Sequence, residues 1–203
     1  MRVKRPFPPQ EFEEASQHRF APSPALSEWV KTAYLAEDGP LFNPDHQHLQ
    51  RARIGFLWTN VPCKKQMRSV AGTAEIPGGR GSVWSKARVQ YQLDQWFRFR
   101  LHFLITLDAP YALECDDIHF AALVDHELYH CAQAVDAFGC RRYTKDGDPV
   151  FSLRGHDVSE FTGVVRRFGM EGASAGVKEF VEAANQPPQF SAASISRVCG
   201  SCR

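Results

Sequence analysis

The order of hydrophobic and polar residues predicts a chain that alternates between helices and strands. Apolar residues recur at intervals of three and four from Pro24 to Tyr34, which predicts a helix that ends near Gly39. Ile54–Thr59 is a short apolar run of the kind that forms a buried strand. Residues 70–76 predict a second strand of the same type.

The clearest strand pattern lies between residues 97 and 108. Large apolar side chains alternate there with mostly polar ones, and a period of two indicates a strand with one buried face. We therefore predict one long strand that stops before Pro110. Residues 89–94 show no clear preference for helix or strand. The apolar positions of the predicted strand are Phe97, Phe99, Leu101, Phe103, Ile105 and Leu107.

A second helical pattern covers residues 116–138. Asp116 and Asp117 offer a capping side chain and negative charge at its start, both favourable at a helix N-terminus. Gly139 follows where a left-handed residue would end the helix. The apolar face of this predicted helix consists of Phe120, Leu123, Val124, Leu128, Ala132, Val135 and Phe138.

This helix carries the motif His-Glu-Leu-Tyr-His. His126 and His130 are four residues apart, so their side chains lie on one helix face and can bind the same metal ion. Two imidazoles at this spacing are typical of a catalytic zinc site, in which the adjacent Glu127 reaches a water molecule rather than the metal. Zinc lowers the pKa of such a water to about 7, and Glu127 would take its proton during attack on a carbonyl.

A catalytic zinc usually has three protein ligands, and the third must come from elsewhere in the chain. Residues 158–168 carry an apolar stripe that predicts another helix, closed by Gly169. His156 precedes this helix and is our favoured third ligand, because histidine is the commonest metal ligand. Glu160 is the alternative ligand, although its spacing from Asp157 also fits a capping box.

Two further histidines, His46 and His48, follow a turn or helix start at Asn43-Pro44. They could bind a metal, but their position in a polar stretch predicts that they are surface residues.

Composition limits the partners and the cellular location that we expect for this protein. The 203 residues contain 24 Lys and Arg against 23 Asp and Glu, so net charge gives no support for nucleic-acid binding. No apolar run approaches the roughly 20 residues of a membrane span, and we expect no membrane association. Six cysteines are too few for a disulfide scaffold in a chain this long, which favours a cytoplasmic location.

Composition also divides the chain. We predict a flexible N-terminal arm over residues 1–23, one domain over residues 24–184, and a flexible tail over residues 185–203. The tail contains Cys199 and Cys202 in a CxxC spacing, which is half of a closed four-thiolate zinc site.

The sequence HELYH, followed by GHDVSEF and VVRRFG, resembles the SprT-like zinc metalloproteases. It resembles the phage metallopeptidase group still more closely, over about residues 49–169. The resemblance implies an α+β, zincin-like fold with a small mixed sheet, the motif helix, and a second helix that supplies the third ligand. It also implies that His126, His130 and His156 bind zinc and that Glu127 is the catalytic base.

From these observations we expect a zinc metallopeptidase that acts on a protein or peptide substrate in the bacterial cytoplasm, encoded by a phage or prophage. Tyr143 is a candidate donor to the oxyanion, with Tyr129 and Arg154 as alternatives. Two other functions remain open. One is a zinc-containing binding protein without hydrolytic activity. The other is a SprT-like, DNA-associated protease that would contact DNA through its basic loop, residues 64–68.

Overall fold

A computed structural model describes residues 4–13, 17–65, 68–79, 81–158 and 176–190 of the chain. The helices are α1 Pro24–Val30, which continues as a π-helix over Lys31–Leu35, then α2 Val83–Phe97, α3 Ala109–Glu114, α4 Asp117–His130 and α5 Val177–Ala184, with short 3₁₀ helices at Gln10–Phe12 and Pro44–Arg51. The strands are β1 Phe20–Pro22, β2 Ile54–Thr59, β3 Lys64–Lys65, β4 Arg68–Ser69, β5 Gly72–Glu75, β6 Phe103–Asp108, β7 Cys131–Gln133 and β8 Phe151–Leu153.

Four strands form a mixed sheet in the order β1-β2-β6-β5, which agrees with the expected α+β class. The central strands β2 and β6 run parallel, whereas β1 and β5 are antiparallel to their neighbours. Strands β3 with β4, and β7 with β8, form two separate antiparallel pairs.

Helices cover both faces of the central strands, because β2 and β6 carry apolar residues on both sides. On one face, Phe120 of α4 packs against Trp58 of β2 and Trp29 of α1, with ring centroids 5.9 and 5.8 Å apart. On the other face, Leu93 of α2 packs with Leu104 of β6 in a smaller cluster. The first cluster contains most of the core, and burial of this apolar area holds α4 against the sheet.

Part of the segment expected to be a flexible N-terminal arm is built into the domain. Strand β1 pairs with β2, and the buried Arg5 donates hydrogen bonds to Asp117 of α4 and to the carbonyl oxygens of Ala112 and Cys115. The N-terminal residues therefore hold the start of α4 in place.

The prediction of one strand over residues 97–108 is wrong for its first half. Phe97 is the last residue of α2, and Arg98 adopts a left-handed conformation (φ 56°) while its N–H donates to the carbonyl of Asp94. The strand begins only at Phe103. The alternation continues through residues 97–102 because a helix end and a loop can also place apolar residues at every second position.

The motif helix is shorter than predicted. Asp116 caps its start as expected, accepting a hydrogen bond from the N–H of His119. Its end is at His130 rather than residue 138, because Cys131 is extended and starts β7, which pairs with β8. Gly139 has a positive φ of 80°, as a stop residue would, but it lies in a later turn closed by its N–H to the Asp136 carbonyl.

The other elements agree more closely with the predictions. Helix α1 and strands β2 and β5 lie where the apolar patterns indicated, and residues 89–94 belong to α2. The four cysteines among the described residues are free thiols: Cys63, Cys115, Cys131 and Cys140. Within the described part of the chain, no helix combines the length and the apolar character needed to cross a bilayer.

Candidate metal centre

The last turn of α4 presents two histidines toward a third that arrives from another part of the chain. His126 Nε2 lies 3.2 Å from His130 Nε2 and 3.1 Å from His156 Nε2. The three rings are arranged around one point, with centroids 4.9 to 5.1 Å apart. Among the residues that the structure describes, these three form the cluster that could hold a metal ion.

The distances from His126 Nε2 to the other two nitrogens fit a tetrahedral zinc ion. Two nitrogens that each lie 2.0–2.1 Å from such an ion are about 3.3 Å apart. The two measured separations, 3.2 and 3.1 Å, are close to this value. Three imidazoles are also a donor set that zinc accepts in catalytic sites, where a fourth position is left for water.

A hydrogen bond fixes the tautomer of His130. Its Nδ1 lies 2.7 Å from the carbonyl oxygen of Arg154. A carbonyl can only accept, so Nδ1 carries the proton and the lone pair of Nε2 faces the other two imidazoles. Partners of this kind orient metal-binding histidines and make them better donors.

Strands β7 and β8 bring His156 back to the helix. The chain leaves the helix along β7 and returns along β8, and we call residues 131–153 the β7–β8 excursion. Cys131 pairs with Leu153 at its base, directly after the helix ends. One residue further along, the N–H of Arg154 donates to the carbonyl of His130 at 2.9 Å. The chain therefore returns to the last turn of α4 two residues before His156.

Burial keeps the helix histidines neutral at physiological pH. Desolvation, together with the smaller effects of the neighbouring His130 and His156, lowers the pKa of His126 to about 4. Desolvation also lowers the pKa of His130, although its hydrogen bond to the Arg154 carbonyl acts in the opposite direction. Neutral imidazoles are the form that binds metals.

Glu127 lies between the two helix histidines in sequence and points toward the sheet. Its side chain is fully buried against Gly72 of β5, where a Cβ would come within 3.0 Å of the Glu127 Oε1 atom. A glycine at this position therefore leaves the space that the carboxylate occupies.

A comparison with known families agrees with this geometry. The model of the family described as "Putative phage metallopeptidase" matches residues 27–185, most of the chain. The chain belongs to this phage metallopeptidase family. Neither the curated proteins nor the solved structures contain a match. The matched range includes the motif helix, the β7–β8 excursion and His156.

Among the described residues, the other candidate residues of this phage metallopeptidase are not part of the three-histidine cluster. Glu160 and the predicted helix over residues 158–168 fall outside the described residues, apart from Val158 itself. Tyr143 is half-exposed in the outer part of the β7–β8 excursion, opposite Pro149. The Tyr129 hydroxyl donates to Asp45 at 2.8 Å, and the Arg154 guanidinium pairs with Asp157.

The prediction that His46 is a surface residue is wrong. His46 is 1% exposed, and its Nε2 donates to Asp125 Oδ1 at 2.8 Å. His48 is half-buried, with Nε2 2.7 Å from the carbonyl oxygen of Cys131. One signal could have indicated this burial: His46 and Leu49 are three apart in the 3₁₀ helix, so they share a face, and Leu49 is apolar.

Proposed function

We propose that this phage metallopeptidase is a zinc-dependent, zincin-like enzyme that hydrolyses peptide bonds of a protein substrate. The observation that carries the proposal is the convergence of three histidine Nε2 atoms at 3.1 and 3.2 Å, next to a buried glutamate. The proposed zinc ligands are His126, His130 and His156.

The metal and Glu127 have separate roles in the proposed reaction. Zinc held by the three histidines would act as a Lewis acid and lower the pKa of a water at the site to about 7. Glu127 accepts the proton of the attacking water and then delivers it to the leaving amine, as a general base and acid. The Arg154 carbonyl holds His130 in the orientation that this arrangement needs.

The proposal also includes the cellular location of the enzyme and the donor to the oxyanion. We infer that the enzyme acts in the cytoplasm of a bacterial host, which the phage family and the free cysteines of the described residues support. Tyr143 is the proposed oxyanion donor, because it lies in the excursion that leads to His156. Replacement by phenylalanine should then lower kcat with little change in KM.

The decisive experiment replaces Glu127 with glutamine in the full chain. Zinc content is measured by atomic absorption, and hydrolysis is measured by mass spectrometry on a peptide library derived from a bacterial proteome. We expect Glu127→Gln to retain zinc and to lose activity by about 10²- to 10⁴-fold, the usual contribution of a general base.

Glu114→Gln provides a matched control, since it removes the same charge from an exposed position at the end of α3. It should leave activity and zinc content unchanged. A wild-type protein that binds zinc but cleaves no peptide, or a Glu127→Gln variant that remains fully active, would contradict the proposal. The first of these outcomes would favour a zinc-containing binding protein.

A further inference from the structure

The 3₁₀ helix Pro44–Arg51 and the residue that caps it contact α4 and the residue directly after it, at three points around the two helix histidines. His46 Nε2 donates to Asp125 Oδ1 at 2.8 Å, one residue before His126. The Tyr129 hydroxyl donates to Asp45 Oδ2 at 2.8 Å, one residue before His130. We call Asn43, Asp45, His46 and His48 the 43–48 clamp.

The third contact lies just beyond the helix. His48 Nε2 is 2.7 Å from the carbonyl oxygen of Cys131, which follows the last residue of α4 and starts β7. The terminal carbonyl groups of a helix have no partner within the helix, and helix ends fray unless side chains satisfy them. A ligand in the last helical position, as His130 is, therefore depends on contacts made by the chain around it.

His46 is the centre of the clamp. Its ring is buried and lies edge-on against Tyr129, with centroids 4.6 Å apart, and Asn43 donates to the Tyr129 hydroxyl at 3.1 Å. The His46 Nδ1 atom is buried without a hydrogen-bond partner among the described residues. Burial of a polar group costs free energy unless it is hydrogen-bonded, so an apolar side chain would suit packing alone better than this histidine.

We propose that the 43–48 clamp is a positioning device for the metal centre, with His46 as its principal positioning residue. The directional bond from His46 to Asp125 sets the rotation of the last turns of α4 and thereby the directions of His126 and His130. This inference rests on the proposed zinc site but concerns residues outside it, in a different segment of the chain.

The test compares three variants of the full chain by zinc affinity, measured in competition with a chromophoric chelator. His46→Leu removes the donor, and His46→Gln keeps an N–H donor near the position of Nε2. Gln50→Leu is the control, because Gln50 lies on the same 3₁₀ helix but donates to the Leu35 carbonyl instead of α4. The absorption spectrum of the Co²⁺-substituted proteins reports the geometry of the site.

We expect His46→Leu to bind zinc roughly tenfold more weakly, the lower end of what contacts beyond the direct ligands contribute, with a changed Co²⁺ spectrum. His46→Gln and Gln50→Leu should match the wild type. Equal affinity and spectra in all variants would overturn the inference, as would equal losses in His46→Leu and His46→Gln. Failure of the wild type to bind zinc would instead overturn the proposed function.

If His46→Leu does not fold, as far-ultraviolet circular dichroism would show, Tyr129→Phe decides the question. It removes only a hydroxyl at the surface end of the clamp. A severalfold loss of zinc affinity in a folded Tyr129→Phe protein supports the clamp, and wild-type affinity overturns it.

Discussion

The two sides of the proposed metal centre are held in different ways. His126 and His130 are one helical turn apart on α4, which is packed into the core and carries the 43–48 clamp on its outer side. His156 lies on an exposed loop and reaches the same point only because β7 and β8 close the excursion before it. The positions of the helix pair depend on local spacing, whereas the position of His156, the third proposed ligand, depends on pairing between residues about 20 positions apart.

The strongest test of this difference removes one ligand from each side. We expect His130→Ala and His156→Ala each to weaken zinc binding by more than about 100-fold, beyond the range for residues outside the ligand set. Only His130→Ala should also destabilise the metal-free protein, by about 1–3 kcal/mol, because it removes a buried side chain and its part-buried hydrogen bond to the Arg154 carbonyl. His156→Ala should stay within about 0.5 kcal/mol, as exposed positions do.

Urea unfolding in the presence of a chelator measures the stabilities, and chelator competition measures zinc affinity. His119→Ala is the control, since His119 lies on the same helix but bonds to Asp116 at its start. Equal stability losses in the two ligand variants would show that the sides are not held differently.

The second test disrupts the β7–β8 pairing that brings His156 back to the helix, without changing a proposed ligand. The bonds from Arg154 N–H to the His130 carbonyl and from Ala134 N–H to the Val150 carbonyl place the Ser152 N–H toward Ala132, because such bonds alternate along an antiparallel pair. Ser152→Pro removes this N–H. We expect at least about a tenfold loss of zinc affinity, measured by chelator competition.

Ser152→Ala keeps the backbone donor and serves as the control for the strand pair. Normal zinc binding by a folded Ser152→Pro protein would mean that His156 reaches the site without β8.

The same division explains which parts of the site could be predicted. The shared helix face of His126 and His130 follows from helical spacing alone, and the Asp116 cap is equally local. The end of the helix could not be predicted, because the apolar residues of 131–138 continue the helical pattern. In the structure, Cys131 instead pairs with Leu153 on β8. Non-local pairing of this kind leaves no mark on local periodicity.

Two other predictions, for residues 97–102 and for His46, were wrong for the same reason: contacts with residues distant in the sequence determine the structure there. The alternation over residues 97–102 resembled a strand, but the left-handed Arg98 and the packing of Leu93 against Leu104 end a helix there. His46 was expected at the surface because its neighbours in sequence are polar, whereas its burial is determined by α4, some 80 residues later. His156 was favoured as a ligand from its residue type, and the structure shows the strand pair that brings it to the helix.

A third test addresses the helix side alone, at Glu127. Gly72→Ala would place a Cβ 3.0 Å from the Glu127 Oε1 atom and 3.0 Å from Leu123 Cδ1, so the carboxylate must move by a few tenths of an ångström. A shift of about 1 Å in a catalytic group can cost about 100-fold in rate, and we expect up to about a tenfold decrease in kcat. Zinc affinity should not change, because neither His126 nor His130 is displaced.

Steady-state hydrolysis of a peptide found in the library experiment, together with zinc competition, measures both effects. Ala74→Gly is the matched change on the same strand and should leave kcat near the wild-type value. A Gly72→Ala protein with normal kcat would indicate that the position of Glu127 is less critical than the structure suggests.

The smallest expected effect is the pH dependence of the metal-free protein. Burial, with a smaller effect of the neighbouring histidines, lowers the pKa of His126 from 6.5 to about 4, and burial also lowers the pKa of His130. The folded state therefore binds fewer protons than the unfolded state, so these groups contribute stability that is present above pH 6.5 and is lost as the pH falls toward 4. Urea unfolding with a chelator at pH 7, 6 and 5 should show a decreasing free energy of unfolding. His126→Gln should make this decrease shallower. An unchanged slope in His126→Gln would show that burial does not hold this histidine neutral.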